Sequence, residues 1–361
     1  MRAGSASSGG IVGPQARAPR LVVAGFGLVL ALLSAEVVAR IEGPPVCADE
    51  QALLLAADPE VGWTFTPGLT VTLHPCGSLA APRRWSAPLA INSQGLHDQE
   101  WPLAKGPGEV RVLLLGGEVA DGVGLTRTDR LSVRLAHLSD SRRGAKVAAI
   151  NATIPGYGAA ESLRFLERRG LAWSPDVVVL LIDPEHDLAA ALDPPEPRLA
   201  PGDVPPASGL IDLSGLARWA ARRPAVRAGT AVEIEPPTPL ASPEQRAAAL
   251  ARLRDTVARI AEVSREAGAK LAIAITPRCP SLAPPAEGAS LCDALSEVAP
   301  CVDLTRGFAE LERSSRGEAE LCIPGDARWG RDGHFLASHE IWNLLAEKGL
   351  WPPTVVRAHR L

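Results

Sequence analysis

Leu113 to Gly124 reads LLLGGEVADGVG. With the preceding Val110-Arg111-Val112 it makes the run VRVLLL, short and almost continuously apolar. That is the pattern of a strand buried on both faces, as in a parallel sheet, rather than of one with a wet face. A glycine pair, Gly116-Gly117, ends the run, and the first side chain able to do chemistry after it is Glu118. No Ser, Cys or Thr stands in the turn.

The same pattern recurs along the chain. KVAAIN (Lys146 to Asn151), DVVVLLID (Asp176 to Asp183), KLAIAI (Lys270 to Ile275) and CVDL (Cys301 to Leu304) read as further strands. Between them lie segments with apolar residues at helical spacing. Thr128 to Leu138 is one, and Ala159 to Arg169, stopped by Gly170, is another. A third starts at Ser242, an N-cap followed by Pro243, and runs to Gly268. The last runs from about Gly333 to Lys348, with Asp332 as N-cap and Gly349 as stop. Residues 192–241 are Pro-rich and read as a long excursion with a short helix around Leu213 to Arg223. Strands alternating with helices imply a mainly parallel sheet covered on both faces. Ligands of such sheets bind beyond the carboxyl ends of the strands. Glu118, Gly156, His186 and Asp326 all fall just after strands or on the approach to the last helix.

The bulk numbers exclude one class of partner. A net charge of −4 with no long basic run gives nucleic acid nothing to hold. The N-terminus points to a membrane. Arg2, Arg17 and Arg20 precede LVVAGFGLVLALLSAEVVAR, which meets its first charge at Glu36. Positive residues before such a run place the N-terminus in the cytoplasm and the body outside. The run approaches the ~20 residues that span a bilayer, so residues 21–40 read as a single-pass signal anchor. A cleaved signal peptide, cut after Val37-Val38-Ala39, is the competing reading. The chain then divides into a disordered basic tail (1–20), the transmembrane anchor (21–40), a lead-in punctuated by Pro and Gly (41–108) and the α/β domain (109–361). Six cysteines in an exported body fit disulfides. Proximity in sequence suggests Cys47 with Cys76, Cys279 with Cys292, and Cys301 with Cys322.

Four blocks in this order resemble the SGNH (GDSL-like) hydrolase family, over roughly Asp58 to the C-terminus. INSQGLHDQEWP followed by VRVLLLGGEVADGVG is similar to the family's lead-in and first block. INATIPGYGAAES (Ile150 to Ser162) is similar to the second, where Gly156 matches an oxyanion-hole glycine. SPDVVVLLIDPEHDL (Ser174 to Leu188) is similar to the third, with His186 where an Asn normally stands. PGDARWGRDGHFLASHEIWNLL (Pro324 to Leu345) is similar to the last, with Asp326 at the triad Asp. The resemblance implies a flavodoxin-like three-layer α/β fold and an ester hydrolase whose Ser is activated by a positioned His. Here the Ser position is Glu118, and the His position is Arg328 or Trp329 depending on spacing. Neither can act as a base: Arg stays protonated and indole only donates.

Several readings of these residues follow. Glu118 is either a carboxylate nucleophile partnered by Asp326, or a plug in the nucleophile pocket, paired with Arg328 or with the old oxyanion donors. His186 is a substitute oxyanion donor, a base, or a loop His paired with Asp183, Glu185 or Asp187. Trp329 covers the cleft, stacks on a sugar ring or caps the pocket. His334 and His339, five apart on one helix, face different sides and make a poor metal pair. Nothing in the spacing demands an ion between Glu118, His186 and Asp326, and no cofactor is implied. The expectation is a catalytically silent envelope protein that binds a glycan or protein partner through the remnant cleft. The alternative is an active esterase or O-acyl hydrolase or transferase using Glu118 or His186. A purely structural envelope protein is a third class.

Overall fold

The computed structural model describes residues 18–42, 45–47, 54–74, 87–143, 146–199, 232–279, 286–323 and 327–352. The strands, in chain order, are β1 (Pro45–Cys47), β2 (Leu55–Asp58), β3 (Gly62–Phe65), β4 (Thr70–His74), β5 (Ala87–Ala90), β6 (Val110–Gly116), β7 (Val147–Thr153), β8 (Val177–Ile182), β9 (Pro197–Leu199), β10 (Val232–Ile234), β11 (Lys270–Ile275) and β12 (Cys301–Asp303). The helices are α1 (Ala18–Glu42), α2 (Leu131–Arg143), α3 (Ala159–Arg168), α4 (Pro184–Leu192), α5 (Pro243–Glu266), α6 (Ala286–Ser296), α7 (Thr305–Ser315) and α8 (Arg331–Glu347).

β6, β7, β8, β11 and β12 form one sheet in the order β12-β11-β8-β6-β7, and every pairing in it is parallel. Counted along the chain this is the 2-1-3-4-5 order of flavodoxin-like folds, whose direction of winding reverses between β6 and β8. Alternate residues enter opposite layers, because successive side chains of a strand point to opposite faces. Leu113, Leu115, Val178 and Leu180 pack with Phe165 of α3 and Val257 and Ile260 of α5. Val112, Leu114, Val179 and Leu181 pack with Leu135 of α2, Phe308 of α7 and Ile341 and Leu345 of α8. The three-layer α/β reading therefore holds. The hairpin β2–β3 adds Trp63 and Phe65 to the first of these layers.

Helix ends are set by local chemistry. Ser242 caps α5 through its hydroxyl, which accepts from Gln245 N at 3.2 Å, and Pro243 follows at the first position. α8 starts earlier than the sequence suggested. Gly330 is its N-cap, and Asp332 lies in the first turn, where its carboxylate accepts from Glu320 N at 2.9 Å. The short helix expected around Leu213 to Arg223 lies outside the described residues.

The disulfides correct the pairing by proximity. Cys279 bonds Cys322, and Cys292 bonds Cys301. The reason is spatial. Cys279 follows β11, whose carboxyl end lies against the segment entering α8: Cys279 N donates to Ala327 O at 3.2 Å. Cys292 on α6 lies over β12, which starts at Cys301. Cys76 is outside the described residues, so the pairing of Cys47 is not described.

α1 is helical over 25 residues and presents its apolar side chains outward, among them Val23, Phe26, Leu28 and Leu33. Among the described residues no helix is long and apolar enough to cross a membrane. The side chains of α1 are described over 23–38, a rise of roughly 24 Å against a hydrocarbon core of about 30 Å.

Candidate functional site

The carboxyl ends of β6, β7, β8 and β11 meet where the winding reverses, and the sequence blocks converge there. Gly116, with φ +144°, lies so near β8 that a side chain would meet Leu181 O at 2.7 Å. A side chain on Gly117 would meet Tyr157 O at 2.9 Å. Only glycine lets β6 end this close to its neighbours, and a single 3₁₀ turn then presents Glu118. After β7 the chain turns through Pro155-Gly156, with Gly156 at φ +80° and Tyr157 N donating to Ile154 O at 3.0 Å. Pro then Gly at positive φ is the chemistry of a type II turn. The turn aims the Gly156 N–H at Glu118 Oε2, 3.2 Å away.

The other carboxylate oxygen, Oε1, accepts from Arg278 Nη2 at 2.9 Å. Arg278 follows β11 and forks, with Nη1 reaching Asp183 Oδ2 at 2.6 Å. Asp183 in turn caps α4, accepting from the amides of Glu185 (3.1 Å) and His186 (3.3 Å). One guanidinium thus ties the ends of β6, β8 and β11 together. Burial alone would raise the Glu118 carboxyl. Arg278, then His186, then the N–H groups of Glu118 and Gly156 overcome that and hold it at about 2. Glu118 is therefore ionised at neutral pH. Asp187, fully buried beside Asp183, is shifted the other way, by burial first and then by the Asp183 charge. Its two oxygens accept from Ala159 N and Asp183 N, both at 2.8 Å, and so join α3 to α4.

The remaining positions differ from expectation. Glu118 pairs with Arg278, not Arg328. Arg328 is buried and pairs with Asp121, Nε to Oδ2 at 3.3 Å. Of the two partners offered for Glu118, the oxyanion-hole donor Gly156 N–H is met and Arg328 is not, because Asp121, three residues past Glu118, already neutralises Arg328. Trp329 is fully buried: its indole donates to Pro277 O at 2.7 Å and its ring packs on Phe308 and His334. It is a core residue and offers no face to a sugar. His186 stands in the first turn of α4, not on a loop. Its Nε2 lies 3.2 Å from Gly156 O, not against Asp183, Glu185 or Asp187. A carbonyl only accepts, so Nε2 donates there. His334 caps the start of α2, its Nδ1 accepting from Leu131 N at 3.0 Å, while His339 is half-buried on another face of the helix, its Nδ1 3.0 Å from Phe335 O. Asp326 lies outside the described residues.

The space left is small. The cavity lined by Gly117, Glu118, Tyr157, Asp183, His186 and Thr276 measures about 10 Å³, enough for one water. Sequence reasoning missed Arg278 and Asp183 as site residues. Both follow apolar strands directly, so the rule that ligand groups gather at strand carboxyl ends could have flagged them.

The first three blocks follow β6, β7 and β8, and the last leads into α8, as the SGNH resemblance requires. The fold is the three-layer α/β arrangement that the resemblance implies. No family model matches the chain, and no curated protein matches it. Solved structures do match. A psychrotrophic esterase from Pseudoalteromonas sp. is 13% identical, covering 66% of this chain and 97% of its own, at a TM-score of 0.38. A lipase/acylhydrolase from Enterococcus faecalis is 15% identical, covering 66% and 96%, at 0.40. An acetyl xylan esterase is 12% identical, covering 65% and 98%, at 0.39.

Proposed function

We propose that this chain is a catalytically silent SGNH-like protein. It is anchored by α1 in the cytoplasmic membrane with its body outside, and it binds a glycan or protein partner over the closed cleft. One observation carries the silence: the Glu118 carboxylate lies between Arg278 and the Gly156 N–H. In a working site that N–H stabilises the oxyanion of the substrate. Here the chain's own anion occupies it. A carboxylate held at about 2 is a weak base, and each of its oxygens already accepts a hydrogen bond. A cavity of about 10 Å³ admits no acyl group, so a partner meets the rim at Arg278 and His186.

Two features support the location. Most described side chains of α1, from Val23 to Val38, are exposed, and the sequence extends the run to Leu21 and Ala39, close to the ~20 residues of a span. Two disulfides suit an oxidising compartment.

The test is hydrolysis of a short-chain aryl acetate by the full chain in detergent, beside Glu118→Ala. Both should match the buffer rate. Turnover by wild type that Glu118→Ala abolishes would make Glu118 a working group and sink the silent reading.

A further inference from the structure

The peptide group between Pro155 and Gly156 is held at both of its ends. Its N–H donates to Glu118 Oε2 at 3.2 Å. Its carbonyl oxygen, on Pro155, accepts from the indole Nε1–H of Trp63 at 2.8 Å. Trp63 stands on β3, 92 residues back in the chain and outside every block that builds the site. The bond is buried, and Trp63 is only 1% exposed.

This peptide is the one whose orientation a β-turn leaves open. Ile154 to Tyr157 form the turn, closed by Tyr157 N donating to Ile154 O at 3.0 Å. Types I and II both keep the first central residue at a φ of about −60° and differ by a half-rotation of the central peptide. Proline suits that position in either type, so Pro155 does not choose between them. Gly156 takes φ +80°, the type II form, and glycine adopts either sign of φ readily. The local sequence therefore permits both orientations. In the type I orientation the Gly156 N–H would leave Glu118, and the Pro155 oxygen would turn towards the carboxylate. The indole N–H would then face a peptide N–H, donor against donor. Trp63 and Glu118 thus select the same orientation from opposite ends, and donation to the carbonyl polarises the N–H further.

The indole is itself fixed. Tyr157 Oη donates to Trp63 O at 2.7 Å, and the two rings meet edge to face with centroids 5.2 Å apart. Arg169, at the end of α3, holds the other strand of the hairpin through Asp58, Nη2 to Oδ2 at 2.5 Å.

We propose that Trp63 is a positioning residue of the site: its indole N–H locks the Pro155–Gly156 peptide in the orientation that puts the Gly156 N–H on Glu118. The β2–β3 hairpin is then part of the site. The proposal rests on the reading of Glu118 as an anion held by that N–H, and not on the anchor or the partner.

The test is made by NMR on the full chain in detergent, with Trp63→Phe and with β-(3-benzothienyl)alanine incorporated at position 63. The second keeps the bicyclic shape and carries sulfur where the N–H stood, so the packing survives even where phenylalanine prevents folding. Phe65→Leu is the control, since it loosens the packing of the same strand and leaves the indole donor in place. One readout is the cross-relaxation peak between Pro155 Hα and the Gly156 amide proton. It is strong in a type II turn, where ψ of the first central residue is about +120°, and weak in type I. The other is the midpoint of the Glu118 carboxyl. Wild type and Phe65→Leu should give the strong peak and a midpoint of about 2. Without the indole donor the peak should weaken at least ~2-fold as the second orientation becomes populated. The midpoint should rise by roughly 0.5–1, the worth of a weakened hydrogen bond to a charged group. It should stay below 4.5, because Arg278 remains. Donor-free variants that keep the wild-type peak or the wild-type midpoint overturn the proposal, as does Phe65→Leu if it changes both equally. Those outcomes leave wild-type Glu118 at about 2; a wild-type midpoint at or above 4.5 instead overturns the reading of the site, and the proposal with it.

Discussion

Replacing Arg278 by Met keeps most of the side-chain stem and removes the charge that holds Glu118. In the native protein the Glu118 carboxyl falls from 4.5 to about 2. By linkage, that fall is worth roughly 3 kcal/mol of stability at neutral pH. Little of it is screened, because the Glu118 side chain is only 18% exposed. The cost expected for Arg278→Met at pH 7 is therefore about 3 kcal/mol, at the lower edge of what breaking a buried pair costs. The sign with pH follows from the depressed value. The contribution is complete above the unfolded carboxyl value of about 4.5 and is lost as pH falls through about 2. The variant keeps only what His186 and the two N–H groups supply against burial, so it has less to lose. Wild type and variant should differ by about 3 kcal/mol at pH 7 and converge towards pH 2. Urea unfolding followed by circular dichroism, with the disulfides intact, reads this directly. With a slope of roughly 3 kcal/mol/M, the midpoint should drop by about 1 M at pH 7. A loss under about 1 kcal/mol, or a loss that does not change with pH, refutes the reasoning.

Other substitutions probe the supports of the same turn. Gly156→Ala puts a methyl at φ +80° and 2.7 Å from Ile234 Cγ2; it should cost about 1–3 kcal/mol in the same unfolding assay and raise the Glu118 carboxyl. Replacing Cys279 and Cys322 together by Ala opens a loop spanning 43 residues and should cost about 4 kcal/mol on the loop-entropy model, read as a lower thermal midpoint. His334 is held at about 3 by burial and by the nearby Arg130 and Arg134 charges. The unfolded chain therefore takes up a proton that the native chain refuses as pH falls from 6.5 towards 3, and stability drops over that window. His334→Gln should flatten that part of the stability–pH curve; an unchanged slope contradicts the assignment.

Much of the fold could be read from the residues. β6, β8 and β11 are buried on both faces, so their sequences are continuous apolar runs with little polar alternation to confuse the period. Ser242-Pro243 marked the start of α5 because an N-cap and a first-turn Pro act locally. The site was legible in part. Glu118, Gly156 and His186 do meet at the strand ends, since each sits one turn beyond a recognisable strand. What failed depended on partners far apart in the chain. Arg278 lies 160 residues from Glu118, and no local pattern links them. Arg328 was offered as one partner for Glu118 from its block, yet it pairs with Asp121, which is unremarkable in sequence. The cysteines failed for the same reason. Cys279 is nearer to Cys292 along the chain, but the carboxyl end of β11 faces the segment entering α8. Gly330 rather than Asp332 caps α8 because a side chain on Gly330 would lie 2.3 Å from Glu320 O, so the extended residue before the helix has to be glycine.

The central claim is that Glu118 is a fixed anion in the place of a nucleophile. The most direct measurement is the ¹³C chemical shift of the Glu118 carboxyl, titrated from pH 7 downwards and assigned by Glu118→Gln. The expected midpoint is about 2, with the signal that of a carboxylate throughout the neutral range. A midpoint at or above the ordinary 4.5 would mean that Arg278 and the Gly156 N–H do not hold it, and the closed, silent site would be contradicted.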